Sequence, residues 1–282
     1  MGRLILSAFA DEYDACFEEQ LKALCAFDIR YIEPRFLYGK NVSALDKSEV
    51  AEAKRKLAYY GIGVSAIGSP LGKIALSGDM RAHLETAKRV FETANELGTK
   101  NIRVFSFYSF EGEKSQGEKR REATLTAMEA LLRLAKESGV LLCHENEAGI
   151  YGESAEACLD LLESLGGRMR AVFDMGNFTL GGYSSVEAYY LLKKHIEYFH
   201  IKDALAAGAI VPAGKGEAKI AEILSDYVSA SERDVFVTLE PHLQTFDGLN
   251  ALRTSTFENP YKYENQRVAF ADAVQKFKEL LA

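Results

Sequence analysis

Four consecutive apolar runs in the second half of the chain end in residues that can bind a metal or move a proton. Val140-Leu141-Leu142-Cys143-His144 runs into Glu145, Met169-Arg170-Ala171-Val172-Phe173 into Asp174, and Val235-Phe236-Val237-Thr238-Leu239 into Glu240. Between the last two, Tyr198-Phe199 ends in His200 and continues as Ile201-Lys202-Asp203. A half-buried strand leaves the core where its apolar run gives way to charge, so each residue should stand at a strand's carboxyl end. Three carboxylates and one imidazole form a donor set for a hard or borderline divalent ion such as Mn²⁺, Mg²⁺, Co²⁺ or Zn²⁺. Any one of them is explained by a chain emerging into water. As a group they are not, because carboxylates brought so close repel one another and are driven toward protonation unless a cation sits between them. One divalent ion per chain, held by Glu145, Asp174, His200 and Glu240, is the expected cofactor.

These residues converge only if the strands that carry them are neighbours. The predicted strands are Leu4–Phe9, Ile29–Ile32, Gly63–Ile67, Asn101–Phe107 and the four runs that end at Glu145, Asp174, His200 and Glu240. A helical period of apolar residues follows each of them, over Asp11–Phe27, Asp46–Tyr60, Asp79–Leu97, Glu118–Ser138, Ser154–Leu165, Ser185–Lys194, Ala218–Ser229 and Glu264–Leu281. Eight strand-helix units in 282 residues, without a linker or a shift in composition, predict one (β/α)₈ TIM barrel spanning residues 1–282. An open doubly wound sheet is the alternative. It rarely brings four adjacent strand ends to one point, whereas eight strands close a barrel with a single mouth. The loops after strands three, seven and eight are the longest and place bulk over that mouth.

Composition narrows the function. Hydrophobic residues make up 48% and charged residues 27% of the chain, as in an ordinary globular protein, and the net charge of −7 lacks the basic face needed for nucleic acid or anionic membrane. No apolar run approaches the roughly 18 residues that span a bilayer. Leu4-Ile5-Leu6 after Arg3 is too short for a signal peptide. Cys16, Cys25, Cys143 and Cys158 show no CxxC spacing and read as buried free thiols, so a reducing cytoplasm is the expected location. A homodimer and a homotetramer both remain open.

Further candidates follow from position on the mouth. Ser69, Lys73, Glu147, Lys202 and, more weakly, Glu33 are expected to meet substrate. His83 and His195 fall in or at the end of helices, His144 points to the far face of its strand from Glu145, and His242 lies just beyond Glu240. Structural or solvated roles are expected for all four. Gly214-Lys215-Gly216-Glu217 lacks a full phosphate-loop pattern and reads as a flexible lid.

Leu142-Cys143-His144-Glu145-Asn146, Val172-Phe173-Asp174-Met175-Gly176-Asn177, Phe199-His200-Ile201-Lys202-Asp203 and Thr238-Leu239-Glu240-Pro241-His242 resemble the four metal-ligand motifs of the xylose isomerase-like barrel superfamily. Within it they are similar to the sugar phosphate isomerase/epimerase group, which includes ketose 3-epimerases, hydroxypyruvate isomerases and inosose dehydratases. The resemblance covers nearly the whole chain. It implies that the four ligands bind one divalent ion and that Glu145 and Glu240 also form the acid/base pair on opposite faces of the substrate. Many relatives carry histidine three residues after the aspartate, where this chain has Asn177. That position usually touches substrate, and Asn177 keeps a hydrogen-bonding role without the ability to ionise.

The expected activity is isomerisation or epimerisation of a small sugar or sugar-like polyhydroxy carbonyl compound, through proton abstraction next to the carbonyl and an enediolate. A dehydratase would share the first step and then expel a hydroxyl. Two other classes compete. A sugar-binding or regulatory barrel without turnover would not require two opposed glutamates. An endonuclease IV-like phosphodiesterase would need three zinc ions, and the aspartate-histidine pair expected after His200 is missing.

Overall fold

A computed structural model of the chain describes residues 2–110, 117–244 and 260–282. Among the described residues the apolar runs form the staves of a barrel: β1 (Leu4–Ala8), β2 (Tyr31–Ile32), β3 (Gly63–Val64), β4 (Asn101–Val104), β5 (Leu141–Glu145), β6 (Arg170–Asp174), β7 (Ile196–Ile201) and β8 (Val235–Leu239). Six of them hydrogen-bond in parallel in the order β1-β8-β7-β6-β5-β4, and β2 pairs in parallel with β3. A few backbone bonds close the circle, among them the Arg103 N–H donating to the Ile67 carbonyl at 3.0 Å. The Glu33 N–H donates to the Ala8 carbonyl at 3.0 Å, and Ile67 and Asn101 are joined in the same way at 2.9 Å.

Strands two and three are shorter than their sequences predict, for local reasons. Strand two starts two residues late because the Ile29 N–H still donates to the Leu24 carbonyl at the end of the preceding helix, at 2.8 Å; past Pro34 the chain turns into a small hairpin of Phe36–Leu37 with Lys40–Asn41. Beyond β3, the Ser65 carbonyl accepts from the Thr99 hydroxyl at 3.0 Å and from the Asn101 amide at 3.3 Å, so side chains replace ladder bonds.

The outer ring consists of α1 (Phe17–Ala26), α2 (Lys47–Tyr60), α3 (Met80–Leu97), α4 (Gly117–Ser138), α5 (Ala155–Ser164), α6 (Met175–Leu180), α7 (Ser185–Leu192), α8 (Ile220–Ala230) and α9 (Gln266–Leu281). Asp46 and Glu49 form a reciprocal capping box at the start of α2, and left-handed glycines, Gly61 and Gly98, end α2 and α3. The first helix does not begin at Asp11. Residues Ala10–Glu12 form a separate 3₁₀ turn because the Asp11 and Glu12 carboxylates are drawn inward onto Arg35. The short helix α6 escapes sequence periodicity because it is barely longer than a turn and contains Gly176. No helix among the described residues is long and apolar enough to cross a membrane.

Two expectations are corrected. The Gly214–Glu217 segment is stapled down: the Asp203 carboxylate accepts the backbone N–H groups of Ala204, Gly214, Gly216 and Ala218 at 2.8–3.1 Å. A Cβ at residue 216 would lie 2.2 Å from that carboxylate, which explains the glycine. Of the four cysteines expected inside, Cys16 is exposed at the start of α1 and Cys25 is half-buried, while Cys143 and Cys158 are buried; all four are free. Part of the long loop after strand eight, residues 245–259, lies outside the described residues.

His83 of α3 is structural. Its Nε2 accepts the Gly72 N–H at 2.9 Å, and burial lowers its pKa. The folded state therefore resists a proton that the unfolded chain takes up below about pH 6.5, and this group withdraws stability as pH falls through that value. The stability of the parent relative to His83→Gln, measured by urea unfolding at pH 7.5 and pH 5.5, is expected to fall on acidification. A difference that is constant with pH would contradict that assignment.

Candidate metal centre

The barrel brings Glu145 (end of β5), Asp174 (end of β6), His200 (within β7) and Glu240 (just past β8) together. One ligand atom from each lies within 4.8 Å of every other, and all four side chains are buried. That spread suits a single ion, since donors on opposite sides of a metal at about 2.0–2.4 Å stand at most about 4–5 Å apart.

Second partners set the orientation of each ligand. His200 Nε2 lies 3.2 Å from Glu33 Oε2, and Glu33 Oε1 accepts from the Tyr198 hydroxyl at 2.9 Å. With Nε2–H donated to Glu33, the Nδ1 lone pair faces Glu145 Oε1 at 3.0 Å and Glu240 Oε2 at 3.3 Å. Three acceptors converge there, and only a proton or a cation reconciles them. Asp174 divides its oxygens: Oδ1 caps α6 by accepting the Asn177 N–H at 2.8 Å, and Oδ2 accepts from Lys202 at 2.8 Å. Asn146 exchanges two 3.0 Å bonds with the Asp174 backbone and so ties the ends of β5 and β6 together.

Charge at the mouth is unbalanced. Asp11, Glu12, Glu33, Glu145, Asp174 and Glu240 are buried carboxylates, and Arg35, Arg103 and Lys202 are the buried fixed cations that contact them. Burial pushes Glu12 up to about 8, and burial together with Glu145 and Glu240 raises Asp174 to about 7 against the pull of Lys202. His200 is raised well above the usual imidazole range, because Glu145 and Glu33 overcome its burial. Burial leads the two carboxylate shifts, and crowding by neighbouring carboxylates contributes to all three. A divalent cation would relieve that crowding, so the residues fit the ion expected from the sequence.

The other predicted residues are placed as follows. Lys202 Nζ sits inside the cluster, 2.8 Å from Asp174 Oδ2, 3.1 Å from Glu240 Oε2 and 3.1 Å from Asn177 Oδ1. Asn177 donates to the Asn146 carbonyl at 2.9 Å and reaches Glu145 Oε1 at 3.4 Å. Lys73 and Glu147 form an ion pair at 2.7 Å that links the loops after β3 and β5, with the ammonium 4.2 Å above the Phe105 ring. Ser69 is fully buried and donates to the Arg103 carbonyl at 2.5 Å, so its hydroxyl serves the loop itself. His144 faces away from the site and lies 2.9 Å from the Ser106 hydroxyl.

Sequence reasoning missed the arginines. Arg103 approaches Glu145 Oε2 at 3.2 Å, and Arg35 donates to Glu240 Oε1 at 2.8 Å; both guanidinium groups lie against Phe9, at 4.3 Å for Arg35 and 5.0 Å for Arg103. The register of β4 on β5 explains the place of Arg103. It pairs with Cys143, two residues before Glu145, which puts it on the inward parity of its strand.

Residues 21–253 match the family model described as xylose isomerase-like TIM barrel. No curated protein sequence matches significantly. Among solved structures, the chain is similar to D-allulose 3-epimerase from Methylomonas sp. in complex with D-allulose, with 15% identity, a TM-score of 0.73, and 100% of this chain and 98% of that one covered. It is similar to a probable 3-DHS dehydratase of petrobactin synthesis from Bacillus anthracis, with 17% identity, a TM-score of 0.71, and 99% of each chain covered. A barrel protein from Mycobacterium smegmatis in complex with magnesium gives 14% identity and a TM-score of 0.67, over 100% of this chain and 98% of that one. At these identities the likeness is one of fold.

Proposed function

Because the chain belongs to the xylose isomerase-like TIM barrel family, we propose that it is a divalent-metal-dependent isomerase or epimerase of a small polyhydroxylated aldehyde or ketone. The observation that carries this is the convergence of His200 Nδ1 with Glu145 Oε1 and Glu240 Oε2 at 3.0 and 3.3 Å, an arrangement that a divalent cation in place of a proton would satisfy. Glu145, Asp174, His200 and Glu240 would hold the ion. When bound, it supplies Lewis-acid stabilisation of the negative charge that develops on the substrate's carbonyl oxygen.

The chain's own residues supply the proton transfer. One of Glu145 and Glu240 removes the proton next to the carbonyl, and the other returns one to the opposite face, which inverts that carbon. Return to the neighbouring carbon isomerises instead. Glu33, held by Tyr198, keeps the His200 ring in one tautomer and orientation. Lys202 holds Asp174 and Glu240, Asn177 holds Lys202 and Asp174 in turn, and Lys73 with Glu147 forms the part of the rim that a substrate's far end would meet. Sugar epimerases and a dehydratase among the structures of the same fold support this class of chemistry. Loss of a hydroxyl after the same first step is the dehydratase variant of it.

Metal analysis of purified protein tests the proposal. About one divalent ion per chain is expected, and His200→Ala or Asp174→Ala should lose most of it while staying folded, because no ligand is redundant in a four-ligand site. Full occupancy in both variants would refute the ligand assignment.

A further inference from the structure

Arg35 lies outside the four-ligand cluster, yet its guanidinium joins three buried carboxylates, one of them the ligand Glu240. Its Nε and Nη2 grip the two oxygens of Asp11 at 2.9 and 3.3 Å, Nη2 reaches Glu12 Oε1 at 3.3 Å, and Nη1 donates to Glu240 Oε1 at 2.8 Å. One side chain from the segment just beyond β2 thereby joins the residues after β1 to the residue after β8. It is 1% exposed, so bulk solvent does not weaken these bonds.

Stability alone is a poor reason for such a network. Buried ion clusters are often matched or bettered by apolar residues of the same volume, because desolvation consumes most of the Coulombic gain. What this one does specifically is divide the Glu240 carboxylate. Oε1 is occupied by Arg35, which leaves Oε2 facing His200 Nδ1 at 3.3 Å and Lys202 at 3.1 Å. Glu145 has no equivalent clamp: its Oε2 is buried without a hydrogen bond, although Arg103 stands 3.2 Å away.

A second observation comes from the same place. His242 adopts a left-handed backbone with φ 48°, uncommon outside glycine, and its N–H donates to Glu12 Oε2 at 2.7 Å. That turn brings its ring Nε2 to 3.3 Å from Glu240 Oε1, on the side that Arg35 holds. Glu12 thus serves both the guanidinium and the backbone turn behind Glu240.

We propose that Arg35, braced by Asp11, Glu12 and the His242 turn, is the positioning residue that fixes the plane of the Glu240 carboxylate and presents Oε2 to the metal and the substrate. This rests on the metal-assisted reading above. The test compares chelator-stripped parent with Arg35→Gln, using Mn²⁺ titration calorimetry and a crystal structure of each. In Arg35→Gln the Glu240 carboxylate should turn or shift, and Mn²⁺ should bind 10- to 100-fold more weakly, the usual effect of losing a group that orients a ligand. A merely structural arginine would lower the melting temperature and leave the affinity of the folded protein unchanged.

If Arg35→Gln does not fold, Arg35→Lys answers the same question. It keeps a positive charge beside Asp11 and Glu12, but its single ammonium lacks the fork that reaches Glu240 as well. An unmoved Glu240 carboxylate overturns the proposal, and so does an unchanged affinity where the parent binds Mn²⁺. A parent that binds no Mn²⁺ overturns the metal-assisted function instead, and the pair of crystal structures then decides the positioning role alone.

Discussion

Glu240→Gln is expected to lower turnover by roughly 10²- to 10⁴-fold, the span that general acid/base groups supply. Glutamine keeps the volume and an oxygen that can accept from Arg35, which donates to Oε1 at 2.8 Å in the parent. It has no basic lone pair with which to take or return a proton. The substitution also removes a negative charge between Arg35 and Lys202; against its burial, Lys202 above all, with His242 and the hydrogen bond to His200, holds the Glu240 carboxyl well below the usual carboxylate range. Some loss of stability is therefore expected, and turnover is read at a temperature where circular dichroism shows the variant folded. Proton exchange and epimerisation should fall unequally, since Glu145 still serves its own face. Unchanged turnover would remove Glu240 from the proton transfer, whatever its place at the metal.

Gly72→Ala should be among the most destabilising single substitutions in the chain, at about 3 kcal/mol or more, in the range reserved for backbone strain combined with a steric clash. Gly72 has φ +89°, and a Cβ there would sit 1.9 Å from the Phe105 carbonyl oxygen, a backbone atom that cannot move aside alone. The loop that would shift carries Lys73 and Ser69. Gly98 provides the control, because its φ is similar at +83° with nothing within 4 Å of a Cβ. Gly98→Ala should cost only the left-handed conformation, about 1 kcal/mol. Equal urea midpoints for the two variants would show that the Gly72 contact relaxes cheaply.

How much of this could be read from the sequence differs from residue to residue. Glu145, Asp174, His200 and Glu240 were legible because each ends an apolar run, and strand ends on one barrel share one mouth. The helix boundaries marked by Asp46, Gly61, Asp79 and Gly98 were legible through capping chemistry. Arg35 was not, because it follows Pro34 in a segment with no period, and nothing local says that Asp11, Glu12 and Glu240, up to 205 residues away, meet around it. Asp11 and Glu12 read as the acidic start of a helix until Arg35 claims them. The Gly214–Glu217 segment has the composition of a mobile loop, and only the long-range staple to Asp203 makes it rigid. Ser69 shows the converse error: position near the mouth does not say which way a hydroxyl turns, and here the Arg103 carbonyl takes it.

The most direct measurement is proton exchange between substrate and solvent. The metal-loaded protein is incubated in D₂O with a panel of unphosphorylated and phosphorylated ketoses and aldoses, and deuterium at the carbon next to the carbonyl is followed by NMR, with chelator-treated protein and Glu145→Gln/Glu240→Gln as controls. The expected result is deuterium incorporation into at least one sugar, abolished by chelation and by the double substitution. A protein that holds its divalent ion and exchanges no proton on any member of the panel would contradict proton abstraction next to a carbonyl as its chemistry.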